Sequence, residues 1–122
     1  MSRLLAGIEL LRPQQWVKNA FVLAGLVFGH AYDNPATVAA AALATAAFCL
    51  ASGAVYAFND CRDAARDRAH PDKRGRPVAR GAIAPGQAYA ISVACAAGAI
   101  GLAAGAGGWV AAFVAGYLAL NL

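Results

Sequence analysis

The sequence predicts an all-α integral membrane protein, a bundle of about three complete transmembrane helices and part of a fourth. Three observations carry that expectation. Of 122 residues, 61% are apolar and only 13% charged, against roughly half and a quarter in soluble domains. Residues 34–59 and 81–122 contain no Asp, Glu, Lys or Arg, while eleven of the sixteen charged residues fall within 60–80. A soluble fold wets a face of every element and spreads its charge accordingly; this chain does not.

The elements follow in order. Residues 1–15 carry Leu4, Leu5, Ile8 and Leu11 on one side and Arg3 and Arg12 among the rest. They read as a short amphipathic segment lying on the membrane and stopped near Pro13. Trp16 suits the headgroup level. A first span is expected over 16–32, closed by Asp33-Asn34-Pro35, a turn signal. A second covers 36–58 and a third 87–106. Gly107-Gly108 breaks the third, and a fourth apolar stretch runs over 109–122. With no closing cap or basic flank, that stretch suggests the front part of a longer protein.

Lys and Arg set the expected orientation. Three lie in the N-terminal segment and seven within 60–80, against four carboxylates there, and none in the turn at Asp33. Two spans separate the basic segments, so both face one side, which the positive-inside rule makes the cytoplasm. The net charge of +4 then reflects topology, and nucleic acid is not an expected partner because no aromatic residue interleaves the cations. Cys49 and Cys95 sit in apolar runs as packing residues, and Cys61 has no CxxC or Cys/His spacing to make a zinc site. Gly101 and Gly105 form a GxxxG pair suited to packing within the bundle.

The chemistry is expected in residues 59–86. If the second helix continues past the surface as far as Pro71, then Asn59, Asp60, Asp63, Asp67 and His70 fall within about 100° of one another. Like charges at this spacing destabilise a helix unless they are neutralised. A divalent cation would neutralise them, and hard oxygens without a thiolate suit Mg²⁺, which shares itself between one or two carboxylates and substrate phosphates. Lys73, Arg74, Arg76 and Arg80 follow and can fold back over the acids, an arrangement for a diphosphate. A solvated loop with local ion pairs, some to anionic lipid, accounts for the same charges. Arg62 and Arg68 point away from the acidic face, where anchoring explains them.

Asn59-Asp60-x-x-Asp63-x-x-x-Asp67 is similar to the first aspartate-rich motif of the UbiA superfamily of intramembrane prenyltransferases. With HPDKRGRP behind it and LRPQQWVKN ahead, the whole chain resembles the N-terminal part of that family. The resemblance implies a UbiA-like bundle in a bacterial plasma membrane with its acidic motif on the cytoplasmic side. The branch it is most like transfers 5-phosphoribose from phosphoribosyl diphosphate to a polyprenyl (decaprenyl) phosphate, for arabinan precursors of the cell envelope. Asn59, Asp60, Asp63 and Asp67 would then hold Mg²⁺, with Asp63 and Asp67 as the catalytic pair. Lys73, Arg74 and Arg76 would clamp the donor phosphates, and Lys18 and Asn19 would reach the same mouth. His70 is a base, a phosphate donor or a helix-end cap, Tyr56 a cavity-lining or packing residue, and His30 an interfacial side chain.

Members of this family carry a second acidic motif in their other half, and nothing after Arg80 here is charged. The 122 residues alone are therefore expected to lack activity, with a C-terminal half as a missing partner. Two other readings remain: a UbiA enzyme moving a prenyl chain from a prenyl diphosphate to an aromatic or lipid acceptor, and a small non-catalytic membrane protein.

Overall fold

The computed structural model describes residues 2–29 and 32–122; His30 lies outside them. Every element among the described residues is helical. Helix α1 (Arg3–Leu11) is opened by Ser2, whose hydroxyl accepts from the Leu5 N–H at 3.2 Å. Arg12 closes it in a left-handed conformation, φ 53° and ψ 62°. Ala6 and Leu10 are buried on one side of α1, while Leu4, Leu5 and Ile8 are exposed on the other.

The expected 16–32 helix is divided. Pro13–Ala20 forms a 3-10 helix and only Phe21–Phe28, helix α2, is α-helical. A 3-10 helix aligns residues three apart, so Pro13, Trp16 and Asn19 share a side. That side is held: the Trp16 indole donates to the Leu11 carbonyl at 3.2 Å, and buried Asn19 donates to Cys49 Sγ at 3.6 Å. Trp16 thus caps a helix-end carbonyl. The two stretches together are about 28 Å long by their rises per residue.

Helix α3 (Pro35–Arg62) begins at Asn34, whose side chain accepts from the N–H groups of Ala36 and Thr37. Its 28 residues make about 42 Å. Helix α4 (Ala64–Arg68) follows a break at Asp63, and residues 69–84 form turns. Helix α5 (Pro85–Ala106) is of spanning length. Gly107, at φ 149°, separates it from α6 (Gly108–Asn121).

Helices α3 and α5 pack antiparallel along nearly their full lengths. Cys61 Sγ donates to the Pro85 carbonyl at 3.4 Å, and Ser92 Oγ to the Ala54 carbonyl at 2.7 Å. Further along, a Cβ on Gly98 would lie 3.3 Å from a Leu50 methyl, and one on Gly105 would lie 3.4 Å from Leu43. Small residues let the backbones approach and seat a leucine opposite. Gly101 meets nothing within 4 Å, so the seam runs through Gly98 and Gly105 and leaves one member of the expected pair outside it. Val114 and Leu118 of α6 complete the deeper core with Ala47, Ala51, Ala54 and Ala103, and Tyr117 packs edge-on to Phe48.

Helices α3 and α5 are long and apolar enough to cross a membrane, with mean hydropathies of 2.0 and 1.7. Only 33% and 22% of those stretches are buried, whereas the core helix of a soluble protein is mostly covered. Trp109, Phe113, Leu120 and Val93 are at least two-thirds exposed. Apolar surface on this scale is that of a membrane protein, whose helices face lipid or further helices of a bundle.

The seam gives a contrast. Gly98→Leu drives a side chain against Leu50 and is expected to cost about 1–3 kcal/mol, whereas Gly101→Leu changes stability by less than about 0.5 kcal/mol. Thermal unfolding of both variants in detergent measures this; equal losses would overturn the assigned seam.

Candidate functional site

The charged residues gather where α1, the end of α3, α4 and the turns of 69–84 meet. A small apolar core holds them together: Val78 is fully buried among Ala6, Leu10, Ala57, Cys61 and Ala64. Arg68 Nε donates to the Ala79 carbonyl at 2.9 Å. That bond draws the loop back under α4, so Arg68 is a loop tether as well as a surface cation. Arg80 grips Glu9 with two bonds, 2.9 Å to Oε1 and 2.8 Å to Oε2, and also donates to the Gly75 carbonyl.

Asp60 lies at the centre, its side chain 1% exposed. Oδ1 accepts from Arg12 Nη2 at 2.7 Å and lies 3.7 Å from Arg76 Nη1. The same Arg76 nitrogen donates to Asp67 Oδ2 at 3.1 Å, and Asp67 is also buried. Arg76 therefore bridges the two carboxylates. The Arg12 guanidinium lies 4.6 Å from the Tyr56 ring centre, a stacking that fixes its plane. Tyr56 is thus a platform for Arg12.

The break at Asp63 changes the acidic face expected of one continuous helix. Asp60 and Asp67 come together through Arg76, while Asp63 stands apart from that bridge, 23% exposed and 3.5 Å from its neighbour Arg62. The helical part ends at Arg68, three residues before Pro71. His70 is exposed, and its Nδ1 accepts from the Asp72 N–H at 3.1 Å, shaping the turn. Lys73 and Arg74 are exposed on the same turns. Lys18 is exposed, and Asn19 lies beside Cys49, about 15 Å along α3 from Asn59 by the helical rise. Arg12 belongs to the centre although its spacing gave no sign of it; the signal available was its place before Pro13, where the chain must turn.

Two buried oxygens in this centre have no partner: Asn59 Oδ1 and Asp60 Oδ2. An unpaired buried acceptor is costly, and a hard cation is the partner that suits two such oxygens. Cys61, the nearby thiol, is engaged with Pro85 instead. Among the described residues no three acidic, His or Cys side chains converge as a complete metal site. Two protein oxygens fit a Mg²⁺-like ion that takes its remaining ligands from water and substrate phosphate.

These features define a helical membrane protein whose polar chemistry is confined to one end of an apolar bundle. The chain belongs to the UbiA prenyltransferase family, whose pattern matches residues 19–122. It is 44% identical to the decaprenyl-phosphate phosphoribosyltransferase of Corynebacterium glutamicum over 94% of this chain and 36% of that protein. The enzyme of the same name from Mycobacterium tuberculosis is 38% identical, over 99% of this chain and 42% of its own length. The digeranylgeranylglyceryl phosphate synthase of Natronomonas pharaonis is also 38% identical, over 77% of this chain and 32% of that protein. The chain therefore spans well under half the length of these relatives.

The Glu9–Arg80 pair titrates in a predictable direction. The Arg80 hydrogen bond holds the Glu9 carboxyl below its ordinary value, and burial only partly opposes it. Glu9 raises Arg80 in turn, chiefly through the same bond. A lowered carboxylate contributes stability above its unfolded pKa and loses it as pH falls through the folded one. The stability gap between wild type and Glu9→Gln is thus expected to be full above the ordinary value of 4.5 and to close below it. Unfolding of both proteins across acidic pH reads the gap; a constant difference would contradict the assignment.

Proposed function

We propose that the protein acts in Mg²⁺-dependent transfer of 5-phosphoribose from phosphoribosyl diphosphate to a polyprenyl phosphate, for cell-envelope arabinan precursors. The observation that carries this reading is the buried Asp60–Arg76–Asp67 bridge with two unpartnered oxygens beside it. A site for a diphosphate and its cation needs carboxylates and guanidinium groups within reach of one another. The names of the Corynebacterium and Mycobacterium relatives supply the substrate class.

In this reading Asn59 and Asp60 would hold the donor's cation through their unpartnered oxygens, and Asp63 and Asp67 would join them by exchanging the contacts to Arg62 and Arg76 that they make here. The bound Mg²⁺ supplies charge neutralisation of the leaving diphosphate. Arg76, half-buried between the two carboxylates, turns a fork toward the donor phosphates. Lys73 and Arg74, on the adjoining turns, close over them. Lys18 would approach from the first span, whereas Asn19, held beside Cys49, lies below the mouth. A phosphate oxygen of the lipid attacks the anomeric carbon as its bond to diphosphate breaks, so no covalent intermediate on the protein is required. Positioning and electrostatic stabilisation carry the rate.

We further propose that residues 16–28 and α6 also lie in the bilayer, with 1–15 at its surface and 59–86 facing the cytoplasm of a bacterial cell. The basic flanks support that orientation. A second reading has its own support: the synthase from Natronomonas pharaonis favours prenyl transfer from a prenyl diphosphate onto a lipid acceptor.

Donor binding separates these readings. Phosphoribosyl diphosphate is expected to bind in a Mg²⁺-dependent way and to resist displacement by a prenyl diphosphate. Changing Asp63 and Asp67 to Asn is expected to weaken binding by more than about tenfold. Preference for the prenyl diphosphate selects the second reading, and unchanged binding in the Asn variant returns the chain to a non-catalytic role. The 122-residue polypeptide by itself is expected to give no turnover in the same membranes, since it spans 36–42% of the relatives' lengths; turnover above background would sink that expectation.

A further inference from the structure

We propose that Arg12 is a positioning residue of the acidic centre: by holding Asp60 through Oδ1 it aims Oδ2 at the place of the divalent cation. This rests on the metal reading above and extends it to a residue outside the aspartate motif.

The backbone provides the first reason. Arg12 is the non-glycine residue with positive φ among the described residues. Pro13 disfavours a right-handed helical conformation in the residue before it, and the chain must turn there from α1 into the 3-10 helix. Glycine makes that turn without the steric cost that a side chain brings. The Arg12 N–H bond to the Glu9 carbonyl that closes α1 is available to any residue except proline. An arginine at this position is therefore explained by its side chain.

The side chain provides the second. The guanidinium lies between the Tyr56 ring, 4.6 Å away, and Asp60 Oδ1, 2.7 Å away. One face is stacked and one edge bonded, so it holds a defined orientation. Arg76 also approaches Oδ1, at 3.7 Å, but its shorter bond is to Asp67 at 3.1 Å. Asp60 Oδ2 and Asn59 Oδ1 remain buried and unpartnered. A carboxylate bonded through one oxygen presents the other in a fixed direction, as groups behind metal ligands do.

Charge alone predicts the opposite effect. Removing a cation beside a cation site should tighten metal binding, whereas removing a positioning group should loosen it. Mn²⁺ serves as the probe, its free fraction read by electron paramagnetic resonance with the protein in lipid nanodiscs. Arg12→Gly relieves the backbone and removes the guanidinium. It is expected to weaken Mn²⁺ binding by at least about tenfold while helix content by circular dichroism is kept. Arg12→Lys retains charge without the fork and should recover part of the affinity. Glu9→Gln, which loosens the other tie between α1 and the loop, should leave affinity unchanged.

Unchanged or tighter binding in Arg12→Gly, with wild type binding normally, overturns the role of Arg12 and leaves the metal reading standing. An equal loss in Glu9→Gln overturns it too, because Arg12 would then only tether α1. Failure of the wild type to bind Mn²⁺ overturns both. Should Arg12→Gly lose its helix content, Arg12→Lys decides: full wild-type affinity shows that the guanidinium fork is not needed and overturns the proposal, and a partial loss supports it.

Discussion

A carboxylate buried at the end of an apolar helix is the constraint around which the rest of this structure is arranged. Asp60 is 1% exposed and sits in the last turn of α3, where the helix dipole already disfavours negative charge. Burying a charge without a partner costs far more than a single packing contact returns. Two other segments of the same chain supply guanidinium groups from opposite directions in sequence, Arg12 from 48 residues upstream and Arg76 from the loop beyond α4. Each of those approaches fixes a piece of backbone. Arg12 reaches Asp60 because the chain reverses before Pro13. Arg76 reaches Asp60 and Asp67 because Val78 is anchored in the core and Arg68 holds Ala79.

The membrane-facing part obeys a different rule, and the two meet only at this end. In lipid, helix association is driven by close packing and by the few hydrogen bonds that survive without water. The α3–α5 seam uses Gly98, Gly105 and many alanines for the first and the Ser92–Ala54 bond for the second. Alanine-rich walls leave little side-chain volume inside the bundle. Most charged groups collect instead at its mouth, where α1 and the loop can cover them.

Much of this was legible in the sequence. Charge-free runs at 34–59 and 81–122 marked the long helices, and the Gly107-Gly108 pair marked the break before α6. The acidic and basic blocks within 60–80 located the polar end, and the motif there led to the family. Three features were not legible, each for a physical reason. Trp16 to Ala20 has no spacing that distinguishes a 3-10 helix from an α-helix, because the difference depends on side-chain bonds to Leu11 and Cys49. The break at Asp63, which leaves one of the three expected carboxylates outside the Arg76 bridge, has no Gly or Pro beside it to mark it in the sequence. Arg12 looked like one more anchoring cation, because a pair separated by 48 residues leaves no periodic trace.

The same contacts explain how an acidic cluster can be stable without a bound ion and still be suited to one. Arg12 and Arg76 satisfy one oxygen of Asp60 and one of Asp67, which offsets most of the repulsion between the acids. They leave Asp60 Oδ2 and Asn59 Oδ1 unsatisfied. If the arginines had taken every oxygen, the centre would be a structural ion-pair network with nothing to offer a ligand. If they had taken none, like charges at helical spacing would have opposed folding of the α3 end. Partial neutralisation allows the centre to fold first and still keep hard donors free, which is the electrostatic arrangement a phosphate-bearing substrate and its cation require.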